Sequence, residues 1–221
     1  MKKADLLDEH RAAMLQCRVC GHPPEVQPIV SIARSPRVML VGQAPGIVEA
    51  GGGAPFSGRA GVTLFRWFAS VGLDERTVRS RMYIAAITRC YPGANDSGRG
   101  DRVPSVTERS NCSQWLFAEL RIIKPSLIIP VGRLAIDAFL GPVPLDEVIG
   151  KQHALTNDAG PGAREAGGLS YDVRRTVVIP LAHPSGASSW IHQPGHKQLL
   201  ADALQLIAER WEAIHRGRRV A

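Results

Sequence analysis

The chain has 221 residues, 44% hydrophobic and 21% charged, and 27 Lys and Arg against 20 Asp and Glu give a formal charge of +7 with the seven His counted neutral. A globular chain of this length buries roughly 70% of its unfolded surface in one core and needs no disulfides to do so. The absence of any run of about 18 apolar residues excludes a membrane-spanning helix, and the excess positive charge is a mild pointer to a polyanionic partner.

Met1-Lys2-Lys3-Ala4-Asp5 leads into a charged segment rather than the apolar core of a signal peptide, so the expected compartment is the cytoplasm. Cysteines there are more often ligands, catalysts or buried small residues than disulfides. The first two stand as Cys17-Arg18-Val19-Cys20, upstream of any strand, whereas a thioredoxin-like pair opens the helix of a βαβ unit. Cys90 and Cys112 follow singly. One tight pair with two dispersed cysteines suits an iron–sulfur centre at least as well as zinc, and a buried apolar residue remains an alternative for Cys112.

Four short runs rich in Ile and Val read as strands covered on both faces: Arg37 to Val41, Met82 to Thr88, Ser126 to Val131 and Thr176 to Leu181. Helical patterns lie between them. Gly61 to Val71 puts Val62, Phe65, Phe68 and Ala69 on one face and stops at Gly72. Ser105-Val106-Thr107-Glu108 has capping-box spacing and opens a helix carrying Cys112, Trp115, Leu116, Leu120 and Ile123, which ends at Lys124-Pro125. Shorter and longer helices are expected over Arg133 to Leu140 and Lys197 to Ile214. This alternation predicts one α/β domain over residues 1–221, with its core in about 15–215, built on a largely parallel sheet. Tyr91 to Pro104 and Thr156 to Ser170 read as loops, and Arg216-Gly217-Arg218-Arg219 as a solvated basic tail.

Three strand-end loops carry polar or stacking groups. Gly42-Gln43-Ala44-Pro45-Gly46 follows the first strand, at the edge where α/β sheets bind ligands. Phe56, among Gly, Pro and Ser in the next loop, is placed to stack on a flat ligand. His183-Pro184-Ser185-Gly186 follows the last strand and emerges at the same edge.

In this order the motifs resemble the uracil-DNA glycosylase superfamily, above all its iron–sulfur families 4 and 5, from Cys17 to about Leu200. Pro55-Phe56-Ser57-Gly58-Arg59-Ala60-Gly61 is similar to the family 4 segment P-F-V-G-R-A-G, Thr88-Arg89-Cys90 closes the second strand, and His183-Pro184-Ser185 stands as the second active-site motif. The resemblance implies a three-layer α/β/α sandwich with a central, largely parallel four-stranded sheet, acting as a monomer on DNA containing uracil or related lesions. It implies a [4Fe–4S] cluster on Cys17, Cys20, Cys90 and Cys112. Gln43 and His183 take the catalytic positions, Gly42, Ala44 and Phe56 bind the extruded base, and Ser185, Gly186 and Trp190 contact DNA. Two departures mark this chain. Gln43 stands where family 4 has a carboxylate, and Ala86 where it has a base-reading Asn, for which Asn95 is a candidate replacement. A catalytically weak or inactive iron–sulfur protein that binds nucleic acid is the alternative reading.

Overall fold

The computed structural model describes residues 2–98, 100–155, 176–185 and 189–216. The chain opens with α1 (Lys3–Leu15), followed by β1 (Val38–Gly42), in which all five residues are buried. Next come α2 (Ile47–Ala50), α3 (Arg59–Ala69), α4 (Glu75–Arg81) and β2 (Met82–Ala86). The second half contains α5 (Val106–Ile123), β3 (Leu127–Pro130), α6 (Arg133–Leu140), α7 (Leu145–Val148), β4 (His153–Ala154), β5 (Val177–Val178) and α8 (His196–His215).

Among the described residues the sheet has five strands in the order β2-β1-β3-β5-β4. The four expected strands are all present and parallel. The fifth, β4, pairs antiparallel with β5, so the count of four is corrected to five. Two residues are too few to show a period in sequence. Thr156 to Ser170, expected as a loop, and residues 217–221 lie outside the described residues.

Alternation along each strand sends side chains to two cores. Val38 and Leu40 of β1, Met82 and Ile84 of β2, and Leu127 and Ile129 of β3 face one side, where Leu64, Phe65 and Phe68 of α3 and Leu204, Ile207 and Trp211 of α8 cover them. Met39, Val41, Tyr83, Ala85 and Ile128 face the other, under Leu116, Phe117 and Leu120 of α5 and Leu7 of α1. Helices on both faces of a mostly parallel sheet make the three layers expected.

The α5 start follows its sequence signal. Ser105 Oγ accepts from the Glu108 amide at 3.2 Å and Glu108 Oε2 from the Ser105 amide at 2.7 Å, a reciprocal cap worth about 1 kcal/mol. Its end does too, with Lys124 in the left-handed region at φ 49° directly before Pro125.

Because β1 is flanked by β2 on one side and β3 on the other, the chain reverses its direction of travel across the sheet between these central strands. Such a reversal leaves a crevice beyond the strands' carboxyl ends, and ligands of open α/β sheets bind there. The ends in question are Gly42 of β1 and the Val131-Gly132 turn after β3, held together by the Val131 amide donating to the Val41 carbonyl at 2.8 Å.

Candidate active site

Two rings stand over these two adjacent strand ends. The edge of Phe56 packs on Gly42 so closely that a Cβ there would lie 2.9 Å from Cζ and 3.3 Å from Cε2. The His183 ring packs on Gly132, where a Cβ would meet Cδ2 at 2.9 Å. Glycine at both ends is therefore required by the close approach of the rings, and Gly132 also takes φ +83°.

Phe56 itself has φ 55°, a costly conformation for a side-chain-bearing residue, of order 1–3 kcal/mol. Three devices hold it there. Arg79 of α4 donates to the carbonyls of Pro55 at 2.7 Å and Phe56 at 3.1 Å while stacking on Phe65. Glu49 of α2 is buried, and its two oxygens accept the amides of Gly46 and Gly58 at 3.0 Å each, so one carboxylate caps the starts of both α2 and α3. Gly61, in the first turn of α3, lets the helix close on the Phe56 carbonyl, since a Cβ there would fall 1.8 Å from that oxygen. Gly61→Ala is expected to lower stability by about 1–3 kcal/mol and to unseat Phe56. Denaturant melts check this, with Val62→Ala on the exposed side as a control staying within about 0.5 kcal/mol.

At the His183 end, Ser185 defines the ring's tautomer. The Ser185 amide donates to His183 Nδ1 at 3.2 Å and its hydroxyl lies 2.9 Å from the same nitrogen. A ring nitrogen that accepts an amide proton carries none, so the neutral ring has its proton on Nε2. Burial holds the imidazole's pKa below its ordinary value, favouring this neutral donor.

The remaining expected residues divide. Gly42 pairs with Ala86 in the β1–β2 register, and the carbonyls of Gly42 and Gln43 accept from Ile87 at 3.0 Å and Thr88 at 3.2 Å, so Gln43 and Ala44 start the loop at the crevice. Asn95 lies in a small hairpin closed by the Ala94–Asp101 bridge, where its Oδ1 accepts from Ser97 Oγ at 2.8 Å as a turn residue does. Trp190, implied by the resemblance to contact DNA, is not exposed. It is buried in the core, stacked on His196 with centroids 4.1 Å apart, because the residues before α8 fold back onto the sheet. Ser185 adjoins His183; Gly186 lies outside the described residues. Glu49 and Arg79 are the residues that sequence reading missed. The Gly46-x-x-Glu49 spacing, that of a capping box, was the available signal for the first.

The four cysteines line one cavity beside β2, together with Val19, Val26, Pro28 and Trp115. As free thiols they raise one another: burial first, then Cys112, Cys17 and Cys20, push Cys90 up to about 12, and burial pushes Cys112 to about 11. The Arg89 amide donates to Cys112 Sγ at 3.2 Å and Asn111 Nδ2 to Cys20 Sγ at 3.8 Å. Among the described residues no three His, Cys, Asp or Glu side chains converge as a single metal ion requires. The thiols ring a space instead. No helix among the described residues is long and apolar enough to cross a membrane.

Two rings over a topological switch point, with a cysteine-lined cavity at the sheet's side, are the arrangement the sequence motifs anticipated for one class of protein. The family model of the uracil DNA glycosylase superfamily matches residues 30–208, and the chain belongs to that superfamily. It is similar to the type-4 uracil-DNA glycosylases of Thermotoga maritima, 32% identical over 67% of this chain and 65% of that one, and of Archaeoglobus fulgidus, 31% identical over 58% and 61%. A type-5 uracil-DNA glycosylase of Pyrobaculum aerophilum is 31% identical over 56% of this chain and 57% of its own. The matched stretch covers less than two thirds of each of these relatives.

Proposed function

We propose that this chain is a DNA glycosylase that takes uracil out of the base stack and hydrolyses its N-glycosidic bond, leaving an abasic site. The observation that carries the reading is the pairing of a stacking ring, Phe56 over Gly42, with a neutral imidazole donor, His183 over Gly132, on adjacent strand ends.

The chemistry asks for these two groups. An extruded base loses its stacking, at a cost of a few kcal/mol, and a flat ring in the pocket offsets part of that loss. As the C1′–N1 bond breaks, the electron pair goes to the base and the sugar becomes cationic. A fixed donor aimed at the uracil oxygen strengthens its bond as negative charge gathers there, worth roughly 3–4 kcal/mol. His183 with its proton on Nε2 is such a donor, and Ser185 holds the ring in that state. Gln43 and Ala44, at the mouth of the crevice, take the role of orienting the base, and Ser185 and Gly186 that of meeting the DNA backbone. The net charge of +7 suits that polyanion, and binding is expected to weaken as salt rises.

The cysteine cavity fits an iron–sulfur centre better than a lone ion, since a cluster spreads its thiolates around a volume. Cys17, Cys20, Cys90 and Cys112 would hold a [4Fe–4S] cluster, which supplies a structural tie between the segment before β1, the end of β2 and α5. The purified protein is expected to be brown and to carry iron. Cys112→Ser should lose iron and melt earlier, and a colourless zinc protein would refute the cluster.

Incubation with a uracil-containing oligonucleotide followed by alkaline cleavage tests the activity. Strand scission that depends on His183 supports it. Tight binding to uracil-DNA with no base release would instead favour the inactive nucleic-acid-binding alternative.

A further inference from the structure

Hydrolysis at an anomeric carbon needs a group to hold the attacking water and take its proton, and the loop after β1 offers no carboxylate, having Gln43 and Ala44 where one would stand. Two carboxylates nevertheless reach this loop. A Cβ built on Gly46 would lie 2.9 Å from Glu49 Oε2 and 2.9 Å from Asp101 Oδ2. Glu49 is spent structurally: it is buried, and each of its oxygens accepts a backbone amide, from Gly46 and from Gly58. Asp101 is different. It is exposed, and it arrives from the far side on the hairpin closed by the Ala94–Asp101 backbone bridge and by the Arg102 amide donating to the Gly93 carbonyl at 3.0 Å.

We propose that Asp101 is the carboxylate of this active site, holding the water that attacks C1′ and accepting its proton. This rests on the glycosylase reading above. In the step, the water oxygen forms the new bond to C1′, the C1′–N1 bond breaks with its electron pair leaving on uracil, and the water proton passes to Asp101. Charge separation supports the assignment. The base becomes anionic and the sugar cationic, so a negative carboxylate facing the base would oppose its departure, whereas beside the sugar it stabilises the cation as well as the water. The neutral His183 serves the base and the anionic Asp101 serves the sugar.

The neighbours of Asp101 fit this role. Tyr91, on the same loop, has its hydroxyl hydrogen-bonded to the Asp101 carboxylate. Across Gly46 stands Glu49 of α2. Arg102, next in the chain, is turned away to Glu108 of α5, which it grips through two bonds of 2.7 and 2.6 Å, so it does not neutralise Asp101. The same grip anchors the hairpin on α5 and fixes the reach of Asp101 toward Gly46. Glycine at position 46 leaves that reach open.

The experiment is single-turnover uracil release by the full chain, comparing the wild type with Asp101→Asn, Asp101→Glu and the control Asp96→Asn on the same hairpin, together with affinity for uracil-DNA. Expected is a fall of about 100-fold or more in the rate for Asp101→Asn, with affinity and melting temperature unchanged, partial recovery in Asp101→Glu, and wild-type behaviour of Asp96→Asn. An Asp101→Asn rate within about 3-fold of the wild type, or a slow variant whose affinity or melting temperature falls in parallel, overturns the assignment while leaving uracil excision intact. A wild type that releases no base overturns the glycosylase reading and this assignment with it.

Discussion

Replacing His183 with alanine is expected to slow uracil release by about 100- to 1,000-fold while leaving the affinity for DNA nearly unchanged. The size follows from removing one preorganised donor to a developing oxyanion, about 3–4 kcal/mol. The lack of effect on affinity follows from timing, because the donor's bond grows strong only as the base leaves. Single-turnover rates and DNA affinity of the same variant separate the two. Ser185→Ala provides a graded version. It deletes the hydroxyl 2.9 Å from Nδ1 but keeps the amide that donates to the same nitrogen, so the tautomer survives and a smaller loss, roughly 10-fold or less, is expected. Protonation bears on both. The amide of Ser185 already points a proton at Nδ1, so charging the ring would set donor against donor, and burial disfavours the charge as well. Excision should therefore hold through neutral pH and fall as the pH drops below the ordinary histidine range. Stability shifts in the same direction. The unfolded chain takes up the proton near pH 6.5 and the folded chain only lower, so the unfolded state binds more protons between the two values and this residue's contribution is lost as pH falls through that window. An alanine variant as fast as the wild type would remove His183 from the chemistry.

Where the sequence carries strong periodic or capping signals, structure follows it closely. The strands before Gln43 and Cys90 are continuous apolar runs, and all five residues of β1 are buried as such runs require. The α5 boundaries were legible at both ends because Ser105, Glu108 and Pro125 are local devices whose effect does not depend on the rest of the fold. Helix α1 was not legible: of its thirteen residues only Leu7 and Met14 are buried, too few to mark a face. The site was half legible. Phe56 and His183 stand in motif-like loops, and the sheet's order brings them to neighbouring strand ends. The burial of Trp190 was not legible, because its cover comes from His196 on a helix that starts only afterwards. Asn95, five residues past Cys90, has its Oδ1 bonded by Ser97 Oγ two residues further along the turn, a local contact that no spacing announces. Asp101 was invisible for a related reason. Its approach to Gly46 arises where separate loops meet, and no window of contiguous sequence contains both.

The largest stability effect is expected away from the crevice, at Glu119. This carboxylate is fully buried on α5 and pairs with the buried Arg89 guanidinium. It also accepts from the Tyr83 hydroxyl at 2.8 Å and stands 3.5 Å from His10 Nε2 of α1. Burial by itself would lower the Arg89 pKa, yet the charge of Glu119, its hydrogen bond and the nearby Tyr83 and Cys112 together reverse this, so the guanidinium remains charged inside the protein. Glu119→Ala leaves that charge unpaired in the core and the Tyr83 hydroxyl without its acceptor. The expected cost is about 3–5 kcal/mol, or a melting temperature lower by roughly 6–20 °C for a chain of this size. The damage should spread along β2. The Arg89 carbonyl accepts from Ile29 at 2.8 Å, its amide serves Cys112, and Thr88 beside it is bonded to Gln43. Loosening this corner therefore disturbs the cysteine cavity and the start of the crevice loop together. The pair is not inherently stabilising, however, since desolvating two charges offsets most of their attraction. Arg89→Met, Glu119→Leu and Tyr83→Phe combined should recover most of what Glu119→Ala loses, because no buried charge is then left unpaired and no tyrosine hydroxyl is left without its acceptor. Denaturant melts of the single, double and triple variants measure the coupling, and a Glu119→Ala protein within about 1 kcal/mol of the wild type would show that the guanidinium finds water or another partner when its carboxylate is gone.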